Sequence, residues 1–210
     1  MGEFKGGLDK AELFHFKISN LKENLRTIFL FPIVKFFAKL NVNPNFLTTI
    51  TLILNLIPFY FYLSKNFLLG AISLILINLF DAMDGELARI TNKTSKLGAF
   101  LDSNFDRISE ALIFLSLIIA FKENFLIQIL LIICAFGSFL ISYIRARGES
   151  LGVLIKAGPM ERAERIFFVA LMTIFIKFIF FFLVIFSILI YITIIRRIYE
   201  GYKKMKLSNF

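Results

Sequence analysis

Little in this chain could build a disulfide framework or a soft-metal site: its 210 residues include one cysteine, one histidine, four prolines and no tryptophan. The single Cys134 lies among Leu and Ile in the middle of an apolar segment, so no disulfide scaffold exists and cysteine usage says nothing of the redox compartment. His15 carries no assigned chemistry. Charge is scarce too. Only 19% of residues are charged, against about 25% in a typical soluble domain. Hydrophobic residues make up 58%, against about 45–50%. That balance excludes an ordinary soluble domain and points to an integral membrane protein. A net charge of +9 would suit nucleic acid, but the Lys and Arg residues cluster beside apolar segments, as on a membrane protein's cytoplasmic rim, so nucleic acid is not an expected partner. Glu3, Asp9 and Glu12 precede the first apolar run, unlike a cleavable signal peptide. No internal repeat, low-complexity tract or soluble second domain is visible.

What the chain has in abundance is apolar length. Runs at 45–64, 67–88, 97–121 and 124–144 each match the roughly 20 residues that cross a bilayer. A fifth run, 166–195, extends back to Met160 and divides at Lys177 into spans at 160–176 and 178–198 joined by a tight turn. Lys65, Lys122 and Lys177 stand alone at alternate connections, while the other Lys and Arg residues fall in four groups. Six spans put those groups on one side, which the positive-inside rule makes cytoplasmic, with both termini there. Phe14, Ile18, Leu21, Leu25 and Ile28 recur at helical spacing and predict an amphipathic cytoplasmic helix at the interface, continued along the surface by 28–40 and broken at Pro32. The expected fold is therefore all-α: an interfacial segment over 1–43, a six-helix multi-pass membrane domain over 44–200 and a basic tail over 201–210.

Four aspartates stand inside this apolar chain, where ionised groups are expensive and usually functional. Asp81, Asp84, Gly85 and Ala88 fall at i, i+3, i+4 and i+7, on one helix face. Gly98, Asp102 and Asp106 fall at i, i+4 and i+8, on one face of the next helix. Folding the hairpin about Asn92–Thr94 brings Asp84 level with Asp102 and Asp81 level with Asp106, so four carboxylates would face one another. Such a cluster either shares protons, as in a relay, or coordinates divalent metal. With no His or Cys nearby, hard oxygen donors favour Mg²⁺ or Mn²⁺ over zinc, and paired metals suit phosphoryl transfer. Gly85, Ala88 and Gly98 leave room beside the acids for a ligand. Arg89, one turn beyond Gly85, is placed to clamp a phosphate.

The full pattern, D-x2-D-G-x2-A-R-x8-G-x3-D-x3-D from Asp81 to Asp106, resembles the signature of the CDP-alcohol phosphotransferase family, with every defined position present. The resemblance implies displacement of CMP from a CDP-linked lipid by a second alcohol. It implies that Asp81, Asp84, Asp102 and Asp106 bind two metal ions and that Asp106 is also the general base. Gly85, Ala88, Arg89, Ser95 and Gly98 match positions around the CDP-lipid, as do Asn45 and Thr48 in Pro44-Asn45-Phe-Leu-Thr48. The acceptor is implied elsewhere. Ser142-Tyr-Ile-Arg145-Ala-Arg147-Gly-Glu149, Glu161-Arg162-Ala-Glu164-Arg165 and Arg196-Arg197 resemble the subgroup that uses inositol phosphate, although Ala163 stands where that subgroup often has proline. The acceptor phosphate is thus expected at Arg145, Arg147, Arg165 and Arg197. On a regular helix Arg145 and Arg147 lie about 200° apart, so they can meet one phosphate only from the helix end. The Lys- and Phe-rich composition is compatible with an archaeal CDP-archaeol donor. Glycerol 3-phosphate or serine remain alternative acceptors. A cation or proton transporter remains a remote alternative, which leaves Gly85, Ala88, Arg89 and Gly98 unexplained. The family resemblance also implies a homodimer.

Overall fold

The computed structural model describes residues 31–208, so the amphipathic helix expected over 14–28 lies outside the described residues. The elements are α1 (Phe31–Lys39), α2 (Pro44–Leu54), α3 (Leu56–Leu63), α4 (Phe67–Ile90), α5 (Lys96–Ala120), α6 (Phe125–Ser150), α7 (Arg162–Ile174), a 3₁₀ turn at Ile176–Phe178 and α8 (Ile179–Ser208). No strand occurs among the described residues. Helix starts are written locally. Asn43 Oδ1 accepts from the Asn45 N–H at 3.0 Å with Pro44 in the first turn, Ser95 Oγ accepts from the Gly98 N–H at 3.0 Å, and Asn124 Oδ1 accepts from the Ile127 N–H at 3.1 Å.

Among the described residues, four stretches are long and apolar enough to cross a membrane: Pro44–Leu63, Phe67–Ile90, Phe125–Ser150 and Ile176–Leu207. The chain is a multi-pass membrane protein. The first stretch is two helices rather than one, because Pro58 offers no N–H to the Leu54 carbonyl and the ladder breaks at Asn55. Expected span 97–121 coincides with α5 but carries Asp106, Arg107 and Glu110 in its middle. Expected span 160–176 is represented by α7, whose 13 residues reach about 20 Å at 1.5 Å per residue. The turn expected at Lys177 is present as the 3₁₀ segment. Helix α8 runs unbroken past position 200. Pro32 falls in the first turn of α1, where proline is tolerated, so the 28–40 stretch is helical from Phe31.

The main core lies where α3 to α8 converge. Tyr62, Leu74, Phe114, Leu131, Met172 and Phe186 are fully or almost fully buried there, with the Phe168 and Phe186 rings stacked at 4.8 Å. A second cluster of Val34, Leu47, Met83 and Leu87 seats α1 and α2 on α4. Large apolar side chains such as Leu76, Phe136, Ile188 and Ile195 point outward, as a lipid-facing surface requires. These contacts fix α2, α4, α5 and α7 around one polar region.

Candidate active site

Helices α4 and α5 form the expected hairpin, and Asn92 takes a left-handed conformation in its turn (φ 54°). Asp81, Asp102 and Asp106 each bring a carboxylate oxygen to within 4.8 Å of the others. Three oxygens this close, with no histidine or cysteine among the described residues in the group, are a hard donor set that fits Mg²⁺ or Mn²⁺. Asp84 stands slightly apart. Its Oδ2 accepts from Thr48 Oγ1 at 2.6 Å and its Oδ1 accepts from the Gly85 N–H at 2.5 Å. The arrangement is three carboxylates plus one, not a four-way cluster, because α2 packs close enough for Thr48 to engage Asp84. Asp84 still interacts electrostatically with Asp81 and Asp102.

The expected CDP-lipid residues converge on one cavity. Asn45 and Thr48 come from α2, and Asp84, Gly85, Ala88 and Arg89 from α4. Lys93, Thr94 and Ser95 come from the turn, and Gly98 and Asp102 from α5. Two helix N-termini, those of α2 and α5, therefore face the cavity, and each favours an anion through its dipole, with the first α2 N–H groups already taken by Asn43. The two glycines act differently. A Cβ on Gly98 would lie 2.8 Å from Asn45 Oδ1, so Gly98 permits close approach of α2 and α5. A Cβ on Gly85 would meet only the Arg89 guanidinium, at 3.8 Å, so the space before Gly85 belongs to the cavity. Arg89 Nη2 pairs with Glu86 Oε2 at 2.6 Å on the exposed wall. Asp102 belongs to both the carboxylate cluster and this cavity.

Residues 41–198 match the CDP-alcohol phosphatidyltransferase family. The chain belongs to that family. It is 37% identical over 177 residues to an archaetidylinositol phosphate synthase of Pyrococcus horikoshii, covering 83% of this chain and 91% of that one. It is 32% identical over 145 residues to a phosphatidylinositol phosphate synthase of Corynebacterium glutamicum, covering 64% of each. The fold is shared with Mycobacterium tuberculosis phosphatidylinositol phosphate synthase solved with CDP-DAG bound: TM-score 0.77 at 24% identity, over 83% of this chain and 94% of that chain.

In this phosphatidyltransferase the basic residues divide between surface and interior. Arg145 Nε pairs with Glu149 Oε1 at 2.9 Å on the exposed side of α6, and Arg147 reaches toward Ser150 Oγ at 3.5 Å. The two engage different partners, as their angular separation requires. Arg147 and Arg197 line one groove between α6 and α8. Arg197 itself is buried, donating from Nε to Ala157 O at 3.1 Å and from Nη1 to Ile141 O at 2.9 Å. It interacts electrostatically with Arg145 and Arg165. Arg165 is buried too, 2% exposed, gripping Glu110 with Nε and Nη2 at 2.7 and 2.8 Å and reaching Ser142 Oγ and Met160 O at 3.3 Å.

Two residues outside the expected set complete the polar region. Arg162 Nη1 lies 2.5 Å from Asp81 Oδ2 and Nη2 lies 2.9 Å from Asp106 Oδ1, so its guanidinium bridges two of the three clustered carboxylates. It is the first arginine of the E-R-x-E-R segment, whose charged pattern alone does not tell which arginine faces the acids. Glu110 continues the spacing of Gly98, Asp102 and Asp106 by one further step of four, a signal present in the sequence. It anchors Arg165 beneath the cluster.

Proposed function

We propose that this transferase moves the phosphatidyl-type group of a CDP-linked lipid to inositol phosphate, releasing CMP and forming a phosphatidyl- or archaetidylinositol phosphate. The observation that carries the reading is the double membership of Asp102, which joins a divalent-metal donor set to a cavity faced by two helix N-termini. A nucleoside diphosphate that also needs metal fits such a junction. Names of relatives for both archaetidyl and phosphatidyl products support the acceptor and leave two donor backbones.

The cytidine diphosphate lies against Asn45, Thr48, Gly85, Ala88, Arg89, Ser95 and Gly98, with its tails in the bilayer. Asp81, Asp84, Asp102 and Asp106 would hold two Mg²⁺ or Mn²⁺ ions, which would supply electrostatic stabilisation for phosphoryl transfer. Asp106 takes the proton of an acceptor hydroxyl, whose oxygen forms the new bond to the lipid-bearing phosphorus. The bond from that phosphorus to the oxygen it shares with the CMP phosphate breaks, and CMP leaves beside Arg89. Arg162 orients Asp106, and Arg145, Arg147 and Arg197 gather the acceptor phosphate. Arg165 serves that phosphate from behind, through its grip on α5 and α6.

The membrane domain over 44–200 has six spans, α5 and α7 completing the set of four more apolar stretches. The interfacial segment 1–43, the basic tail 201–210 and the active site face the cytoplasm, as the distribution of Lys and Arg supports. The protein is a homodimer in the cell membrane. Purified protein with CDP-archaeol or CDP-diacylglycerol should release CMP only with inositol phosphate and only with Mg²⁺ or Mn²⁺. Metal-independent release, or release with glycerol 3-phosphate alone, contradicts the proposal.

A further inference from the structure

Between α6 and α7 runs a segment, residues 151–161, without regular secondary structure. Its backbone polar groups need partners: α6 carbonyls take the Leu151, Gly152 and Val153 N–H groups, and from Leu154 to Ala157 α8 supplies partners from one face. Glu200 Oε2 accepts from the Lys156 and Ala157 N–H groups at 2.9 and 2.7 Å. Glu200 Oε1 takes Lys204 Nζ at 2.6 Å, and Lys204 Nζ also donates to Leu154 O at 2.7 Å. Arg197 donates to Ala157 O at 3.1 Å. Thr193, Arg197, Glu200 and Lys204 fall at i, i+4, i+7 and i+11, a single helical stripe. Packing presses the segment onto the same stripe. Gly158 has φ 103°, and a Cβ there would lie 2.5 Å from Thr193 Cγ2. Buried Ile155 fills the gap between Gly148 and Gly201. The segment ends at Glu161, and the next residue is Arg162, whose guanidinium bridges Asp81 and Asp106.

We propose that Glu200 is a positioning residue for the acceptor, clamping the 151–161 segment to α8 so that Arg162 is delivered to the carboxylates. The motif resemblance gives this glutamate no role. A carboxylate accepting two consecutive backbone N–H groups fixes a loop more firmly than one neutral hydrogen bond, because each bond is charge-assisted. The donor cavity between α2, α4 and α5 contains no residue of this segment. The same segment seats Arg197 through Ala157 O and places Ile155 in the groove lined by Arg147 and Arg197, so loosening the clamp should disturb the acceptor side most, while the lining of the donor cavity stays in place. The inference rests on the proposed transfer reaction.

The test uses full-length protein in detergent, with Glu200→Ala and Glu200→Gln compared with wild type. Three quantities are read: KM for inositol phosphate, KM for CDP-lipid, and hydrogen exchange of the Lys156 and Ala157 amides. Glu200→Ala should raise the acceptor KM about tenfold, corresponding to about 1.4 kcal/mol. It should leave the donor KM within about twofold and speed exchange at both amides. Glu200→Gln keeps one acceptor oxygen and should fall between. It carries the test by itself if the alanine variant does not fold. Both KM values rising together, or faster exchange with an unchanged acceptor KM, overturns the proposal. A wild type that uses a different acceptor overturns the inositol phosphate reading instead, and the KM split is then measured with the acceptor it does use.

Discussion

Replacing Gly85 with alanine should move stability and donor binding in opposite directions. Gly85 lies inside α4, and the nearest atoms to an added methyl are Arg89 Nη1 and Nη2 at 3.8 and 3.9 Å, ordinary contact distances on a side chain that can swing away. The fold meets no clash. Glycine in a helix interior is about 1 kcal/mol less favourable than alanine, so thermal unfolding should shift upward or stay level. The methyl instead enters the cavity that Asn45, Arg89 and Ser95 share. An extra methyl group in a filled site costs about 1–3 kcal/mol, which at 1.4 kcal/mol per factor of ten raises the KM for CDP-lipid by roughly 5- to 150-fold. The assay pairs a thermal unfolding curve in detergent with CMP release measured across a CDP-lipid series at saturating acceptor. An unchanged donor KM in a stable variant would refute the placement of the diphosphate at Gly85. A destabilised variant would mean that the space before Gly85 is packing room, as at Gly98.

Two further substitutions probe the acids. Asp106→Asn should cut CMP release by at least about a hundredfold, the scale of a lost general base, while direct titration shows CDP-lipid still binding. Full turnover in that variant removes Asp106 from the base role. Glu110→Ala strands the buried Arg165 charge and should cost about 3–5 kcal/mol of stability, much of which the double variant Glu110→Met/Arg165→Met should recover. Unfolding curves read the recovery. The acceptor KM of the recovered protein tells whether Arg165 acts on the phosphate or only supports α5 and α6.

The carboxylate hairpin was legible because it depends on local spacing: i, i+3 and i+4 relations and one turn suffice to put Asp81, Asp102 and Asp106 together. Asp84 departs from the mirror arrangement through Thr48, a residue 36 positions away, and helical periodicity carries no such information. Arg162 and Arg165 illustrate the same limit. They sit three residues apart on α7, and the packing of α7 on α4 decides which one reaches Asp81 and which grips Glu110. Hydropathy marked α7 as a span, but its flanking turns leave only Arg162–Ile174 helical. The α8 stripe that holds 151–161 was hidden because Glu200 and Lys204 look like the ordinary charged end of a membrane helix, and the resemblance gave Arg197 to the acceptor phosphate rather than to backbone carbonyls. Their backbone partners lie about 40 to 50 residues earlier.

The most direct measurement is product identification by mass spectrometry after wild-type protein, Mg²⁺ and CDP-lipid are mixed with equal amounts of inositol phosphate, glycerol 3-phosphate and serine. One new lipid, carrying inositol phosphate, should form in step with CMP. A glycerol phosphate or serine lipid as the main product would contradict it, as would CMP release with no new lipid.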